Sequence, residues 1–371
     1  FWLKRGSPAG APGLPYGGLW GCRVVMGGAR SGLKSSQDQS SSNAKDQVPR
    51  GWASVAARRA VRDMIRLADK GVDTILCFFQ VGMKILGPCL MCLALCLIGF
   101  ITYTFFVYFL PNYEASMGIA GRITLSVQGL FLLTNALYNY GKASFMDPGQ
   151  PPEFTEEAAA EQLRRCEAGF GKADKPRKCV RCTKLKPARC HHCRICGKCV
   201  LKMDHHCPWI NNCVGNHNYR HFCLFMLYLA FACAFVVWCF WGPVSHRFFG
   251  GGRRYRTSYY SQYSYSGYQC MMTSFMICCS IMLALCVLGG FHVYLVLSNQ
   301  TTIEFQTNLI RRREARRNGE FFRNPYDLGR SRNFQQVFGP NRFFSFRWLM
   351  PYLAAAPTGD GLAFPSVSYL R

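Results

Sequence analysis

The sequence predicts an α-helical multi-pass membrane protein, with four transmembrane helices and a cytoplasmic cysteine-rich domain between the second and third. Three observations predict it. Four apolar stretches, 88–110, 123–141, 222–245 and 270–297, contain no Asp, Glu, Lys or Arg. Lys and Arg are distributed unevenly around those stretches, and eight of the 21 cysteines crowd into residues 179–213.

Each stretch is long enough, or nearly so, to cross roughly 30 Å of hydrocarbon, which takes about 20 helical residues. The second is the least apolar, because ITLSVQGLFLLTNALYNYG carries Gln128, Asn135 and Asn139; a buried soluble helix is the alternative there. Four spans put both termini on one side. If that side also holds residues 142–221, it carries 39 of the 44 Lys and Arg, as the positive-inside rule requires of a cytoplasmic face. The net charge of +25 then suits the anionic headgroups of the cytoplasmic leaflet. The opposite loop, 246–269, retains Arg253, Arg254 and Arg256 as a local exception.

The regions outside the spans differ in kind. Residues 1–50 are rich in Gly, Ser and Pro and read as a disordered N-terminal segment. Residues 51–87 place arginines on one helical face and apolar residues on the other. This fits an amphipathic cytoplasmic segment on the membrane interface, or a soluble helix leading into the first span. Residues 88–141 hold spans 1 and 2, and Asp147-Pro148-Gly149 follows as a turn. The cysteine-rich domain occupies 142–221, spans 3 and 4 occupy 222–297, and residues 298–371 form a cytoplasmic tail, basic and then aromatic.

On a reducing cytoplasmic face, clustered cysteines indicate metal rather than disulfides. Shifted by fourteen residues, the cluster overlays itself: Cys179, Cys182, His192 and Cys199 fall on Cys193, Cys196, His206 and Cys213. Both sets read C-x2-C-x9-H-x6-C. Three thiolates and one imidazole suit tetrahedral structural zinc, so the pattern predicts two structural zinc ions with closed shells. The interleaving lets each metal pin a loop of the other, which allows a segment poor in apolar residues to fold. Cys190 has no counterpart under the shift and reads as a packing thiol.

The same shift isolates a remainder. A third copy would begin at Cys207, but its next positions are Ile210, Arg220 and Leu227, none of them a zinc ligand. Asp204, His205 and Cys207 are therefore left outside the ligand sets. A cysteine thiol beside an imidazole that can take its proton, with a carboxylate to orient the imidazole, is a nucleophilic constellation. The alternative is that Asp204 and His205 only brace the zinc ligands.

With its Asp-His-His-Cys at 204–207, the cluster resembles the DHHC-type protein S-acyltransferases, or palmitoyltransferases. The likeness covers 179–213 without insertion and extends to the four spans and Asp147-Pro148-Gly149. It also takes in Thr301, Thr302 and Glu304 of TTIE, and Asn333 of NFQQVFG. The resemblance implies transfer of a long-chain acyl group from palmitoyl-CoA or another acyl-CoA, through a Cys207 thioester, to substrate-protein cysteines. It implies His205 as general base and Asp204 as its orienting partner, and it gives the same eight zinc ligands. It also places Lys186, Arg189 and His191 near the CoA phosphates, where a solvated basic strand is the alternative. The partners it implies are proteins with membrane-proximal cysteines and the lipid bilayer. The expected location is the ER, Golgi or plasma membrane, with the active site and both termini cytoplasmic.

A long acyl chain needs an apolar tunnel, since burial contributes about 0.8 kcal/mol per methylene; Phe222, Phe225 and Leu229 of the third span are candidates to line it. Thr301 and Glu304 also read as a capping box starting a helix, with a contact to the zinc domain. Three other classes fit less well. A zinc-braced adaptor makes no use of Cys207. A nucleic-acid-binding module is at odds with the spans and with the few aromatics in the zinc segment. A metal transporter needs ionisable groups within spans, where only His292 qualifies.

Overall fold

The computed structural model describes residues 55–167, 177–249, 263–340, 346–350 and 359–367. The segment expected to be disordered, 1–50, and the middle of the 246–269 loop lie outside them. The chain divides into two compact units, Phe1–Phe79 and Gln80–Arg371. In the first, the described residues belong to α1 (Val55–Tyr103). The second contains every element treated below.

Helix α1 runs unbroken through the expected interfacial segment and first span, so these form one element rather than two. A π-helical turn, Thr104–Phe109, joins it to α2 (Leu110–Phe145). Its Thr104 is fully buried and meets Ser274 at 3.3 Å. Helix α2 is broken at Gly118, where φ is +73° and ψ is 179°, a backbone conformation open to glycine at little cost. After α3 (Glu156–Glu167) and the cysteine-rich segment come α4 (Tyr219–Phe249), α5 (Tyr265–Leu297), α6 (Thr302–Arg317) and α7 (Arg330–Phe338).

Among the described residues, three helices are long and apolar enough to cross a membrane: Cys77–Tyr113, Tyr219–His246 and Tyr265–Leu297. The expected stretch 123–141 is helical, within α2, but is not among these three. Its polar residues explain the difference, and they are satisfied internally. Asn135 and Asn139 are buried and each donates to a carbonyl one turn back, at 2.8 Å; Asn139 Oδ1 also meets His221 Nδ1 at 3.0 Å. Helix α4 packs against both α2 and α5. One apolar cluster there joins Phe105, Phe109, Phe235 and Phe240. A second joins Ala136, Tyr140, Phe222 and Phe225 to Cys207 and to Phe334 and Phe338 of α7.

The cysteine-rich segment folds as three two-stranded antiparallel hairpins. They are β1 (Arg177–Lys178) with β2 (Leu185–Lys186), β3 (His191–Cys193) with β4 (Lys198–Val200), and β5 (His205–Cys207) with β6 (Asn212–Val214). The fourteen-residue repeat is this architecture. Lys178 pairs with Leu185, His192 with Cys199, and His206 with Cys213, so each register is the last one moved by fourteen. Even the left-handed residues that turn each hairpin recur: Thr183, Gly197 and Asn211, with φ of 59°, 69° and 48°.

The third hairpin is clamped between the membrane helices. Asn212 Nδ2 donates to the carbonyls of Ala143, Ser144 and Met146 at 3.2, 3.1 and 2.9 Å, completing the otherwise open C-terminal end of α2. Tyr140 donates to the Trp209 carbonyl at 2.8 Å. Asp147-Pro148-Gly149 is a turn, closed by Gly149 N donating to Asp147 Oδ1 at 2.8 Å. It also serves as a clasp, since Gly149 O accepts from Leu201 N at 2.9 Å. On the other side, a Cβ on Gly87 of α1 would lie 2.3 Å from Asn211 Oδ1, so a larger residue there would displace the Asn211 side chain.

Candidate functional site

Both expected ligand sets assemble. Cys179, Cys182, His192 and Cys199 bring their ligand atoms within 4.8 Å of one another, and so do Cys193, Cys196, His206 and Cys213. In the first set His192 Nδ1 lies 3.7 Å from Cys179 Sγ and 3.8 Å from Cys199 Sγ. In the second, His206 Nδ1 lies 3.8, 3.3 and 3.6 Å from the sulfurs of Cys193, Cys196 and Cys213. A tetrahedral zinc with ordinary bond lengths has sulfur–nitrogen edges of about 3.6 Å. The residues fit that ion. The hairpins explain why: the register sets histidine and cysteine side by side across two strands, and the turn of the C-x2-C supplies the other two sulfurs.

Cys190 is buried against Cys179, Cys199 and Leu201. Burial pushes its thiol up to about 12, which suits an inert packing group.

On the third hairpin the cysteine position is kept and the metal set is not. Cys207 stands where Cys193 stands one repeat earlier, while Ile210, fully buried, stands where Cys196 does. Pro208–Ile210 turn as a 3-10 helix, and Cys207 is buried. The neighbouring His205 donates from Nδ1 to Asp204 Oδ2 at 2.6 Å, which directs Nε2 toward other partners. Burial disfavours charge on His205, but hydrogen bonds with the Asp204 carboxylate and the Cys207 thiol outweigh it and raise the imidazole to about 9. Asp204 is 2% exposed. Its burial is offset by the hydrogen bond and charge of His205 and by Thr302, which hold the carboxyl below its ordinary range.

Residues beyond the zinc segment hold Asp204. Thr302 donates from its backbone N to Oδ1 at 2.9 Å and from its hydroxyl to Oδ2 at 2.7 Å. Thr302 begins α6, whose capping box forms as its sequence indicates: Thr301 Oγ1 accepts from Glu304 N, and Glu304 Oε2 accepts from Thr301 N. The negatively charged Asp204 thus sits at a helix N-terminus. His205 packs edge-on to Phe222, with ring centroids 5.4 Å apart, and lies 6.0 Å from the ring of His292. Tyr219 O–H lies 3.1 Å from His292 Nδ1. Sequence reasoning singled out His292 only as an ionisable group in a span; its proximity to His205 comes from the packing of α5 against α4.

The three residues expected near the CoA phosphates separate. Lys186 and His191 are half-buried on β2 and β3. Burial, helped by Lys186, keeps His191 below the usual histidine range. Arg189 is not turned to solvent. Its side chain is 1% exposed and pairs bidentately with Glu304, Nε–Oε1 at 2.6 Å and Nη2–Oε2 at 2.7 Å. Asn299 takes up its remaining donors. A guanidinium so engaged braces the zinc segment against α6.

An apolar pocket, partly open to its surroundings, lies among α1, α2, α4 and α5, lined in part by Ile98, Phe105, Leu132, Ala136, Leu229 and Cys233. Phe222 and Phe225 instead pack on His205 and Tyr140.

The chain is similar in sequence to known proteins. A DHHC palmitoyltransferase family profile matches residues 172–309. The chain is 32% identical over 280 residues to probable protein S-acyltransferase 16 of Arabidopsis thaliana, covering 72% of this chain and 88% of that protein. It is 37% identical over 190 residues to palmitoyltransferase ZDHHC2 of Mus musculus, covering 51% of this chain and 46% of the other. The corresponding figures for palmitoyltransferase ZDHHC15 of Rattus norvegicus are 35% over 187 residues, 50% and 49%.

Proposed function

The chain belongs to the DHHC palmitoyltransferase family and is a protein S-acyltransferase, and from that premise we propose that Cys207 carries the acyl group, with His205 and Asp204 serving it. The observation that carries this reading is the Asp204–His205 hydrogen bond on the strand that ends at Cys207, a cysteine that heads a third repeat without further ligands. His205 accepts the Cys207 thiol proton, Asp204 fixes the ring and balances the imidazolium charge, and Thr302 fixes Asp204. The thiolate attacks the thioester carbonyl of acyl-CoA, the bond from carbonyl carbon to CoA sulfur breaks, and CoA departs as a thiol with the proton from His205. A substrate cysteine then attacks the Cys207 thioester in the same way, returning the thiol. Thioester exchanges for thioester, so the step is nearly balanced in energy and rests on positioning.

The eight ligands hold two structural zinc ions, whose closed shells set the hairpins and thereby the triad. The cavity lined by Leu132 and Leu229 takes the acyl chain; both residues also pack against the apolar cluster that contains Cys207. The helical stretch 123–141 serves as a fourth span, its buried asparagines turned to protein partners rather than lipid. This puts the hairpins, both termini and the CoA moiety on the cytoplasmic side, in line with the distribution of Lys and Arg. Lys186 and His191 are the remaining candidates to meet CoA phosphate. Substrates are proteins whose cysteines lie close to the membrane of the ER, Golgi or plasma membrane.

Trapping tests the reading. Purified enzyme given labelled palmitoyl-CoA should accumulate a hydroxylamine-sensitive acyl group, and Cys207→Ser should accumulate none while keeping its metal. Accumulation at the wild-type level in that variant would refute it.

A further inference from the structure

The segment 359–367 lies fifty residues beyond the family match, yet it is fastened to the hairpins at several points. Asp360 pairs with Arg165. Leu362 packs on Cys179, Cys190, Cys199 and Leu201. Gly361, with φ of +83°, passes so close to Asn216 that a Cβ would lie 2.8 Å from its Nδ2. Val367 N donates to the Pro325 carbonyl at 2.8 Å. Between these anchors Phe364, 4% exposed, lays its ring 4.8 Å from the Arg189 guanidinium carbon and 5.7 Å from Lys202 Nζ. Tyr326 lies against the same guanidinium at 4.4 Å.

From that guanidinium a continuous set of short contacts leads to the reacting residues. Arg189 holds both oxygens of Glu304, Glu304 caps Thr301, and the adjacent Thr302 makes both of its bonds to Asp204. We propose that residues 359–367 are a positioning strap for the acyl-transfer site, in which Phe364 acts through Arg189 and Glu304 to hold Asp204 in place. The physical basis is desolvation. An ion pair in a dry, aromatic-walled site keeps one geometry, whereas water admitted beside it weakens and loosens it. The start of α6 then drifts relative to the hairpin. A displacement of about 1 Å in an acyl-transfer site costs up to about 10²-fold in rate. The ring also covers the buried Lys202 ammonium, 5.7 Å from its Nζ.

The inference rests on Asp204 being the triad carboxylate, and its test separates the two. Single-turnover acylation by palmitoyl-CoA and zinc content are measured on the full chain for Phe364→Ala, Phe364→Leu and Phe364→Tyr, alone and with Glu304→Gln. Phe364→Ala is expected to slow acylation roughly 5- to 30-fold, within the range for a small displacement, with two zincs retained and the KM for palmitoyl-CoA little changed. Phe364→Tyr, which keeps the aromatic face, should restore the rate; Phe364→Leu, which keeps apolar bulk alone, should not. On the Glu304→Gln background Phe364→Ala should add little. Wild-type rates in Phe364→Ala, full rescue by leucine, or losses that simply multiply would each overturn the strap. If Phe364→Ala loses zinc, the comparison of tyrosine with leucine decides the matter. A wild-type rate in Asp204→Asn would instead overturn the triad itself.

Discussion

The hairpins β3–β4 and β5–β6 are built on one plan and put to different ends. Both pair a histidine with the cysteine seven residues farther along, His192 with Cys199 and His206 with Cys213, and both end their first strand on a cysteine. On β3 that cysteine, Cys193, belongs to a metal set. On β5 it is Cys207, with Ile210 in place of the second thiol. With Ile210, Arg220 and Leu227 where a third set would need ligands, the thiol keeps its position without a metal set. The flanks complete the change. Lys198, on β4, reaches the exposed Asp147 at 3.3 Å, whereas Asn212, at the same place on β6, is locked to three carbonyls at the end of α2. A metal hairpin needs its fourth ligand; a reactive one needs an anchor and a proton acceptor.

The largest expected effect comes from breaking a metal hairpin. Cys196→Ser or His206→Ala should release zinc and unfold the cysteine-rich domain, since binding a structural zinc contributes on the order of 10 kcal/mol to folding. Metal content by elemental analysis, with protease sensitivity alongside, checks this. If metal stayed bound, the ligand assignment would be wrong.

Next is His205→Ala, beside the ligand His206 on β5. It should keep both zincs and slow acylation by about 10²–10⁴-fold, the range for a lost general base. The sign of its pH dependence follows from the raised imidazole. His205 holds its proton beside Cys207 until the pH passes about 9. Below that, the variant lacks the imidazolium that the wild type sets beside the sulfur; above it, the wild type loses that charge as well. The gap between variant and wild type should therefore close as pH rises through about 9. An unchanged ratio from pH 6 to 10, roughly the span across these values, would make His205 structural. The same raised pKa implies that the Asp204–His205 pair stabilises the fold fully below the ordinary histidine range, with the contribution lost through about pH 9.

Smaller losses should follow from the supports. Thr302→Val removes a hydroxyl bond to a charged carboxylate, worth about 1.5–3 kcal/mol, and should cut acylation roughly tenfold or somewhat more with zinc unchanged. Asn212→Ala strands the carbonyls at the end of α2, at a cost of about 1–3 kcal/mol. It should lower thermal stability more than rate. A rate loss in Asn212→Ala larger than in Thr302→Val would mean that the anchor, not the carboxylate, sets the position of Cys207.

Much of this was legible in the sequence because ligand spacing and hairpin register are the same fact. The fourteen-residue shift sorted eight ligands from Asp204, His205 and Cys207, and each hairpin obeys it. The capping box at Thr301 and Glu304 was legible for the same reason, being local. What escaped was set by tertiary contact. Arg189 looks like any surface cation in KPARCHH, and only the approach of α6 makes it a buried partner of Glu304. The stretch 123–141 is helical as expected, but the α4 partner of its Asn139 could not be read from composition. Phe364 stands in a segment with no pattern of its own, and its meaning comes from the guanidinium beneath it.

The most direct measurement is the site of acylation in zinc-replete protein. After brief exposure to palmitoyl-CoA, peptide mass spectrometry should place the acyl group on Cys207, removable by hydroxylamine, with Cys193 unmodified and two zincs per chain. Palmitate on Cys193, or a zinc lost when Cys207 is changed to serine, would contradict the division between the two hairpins.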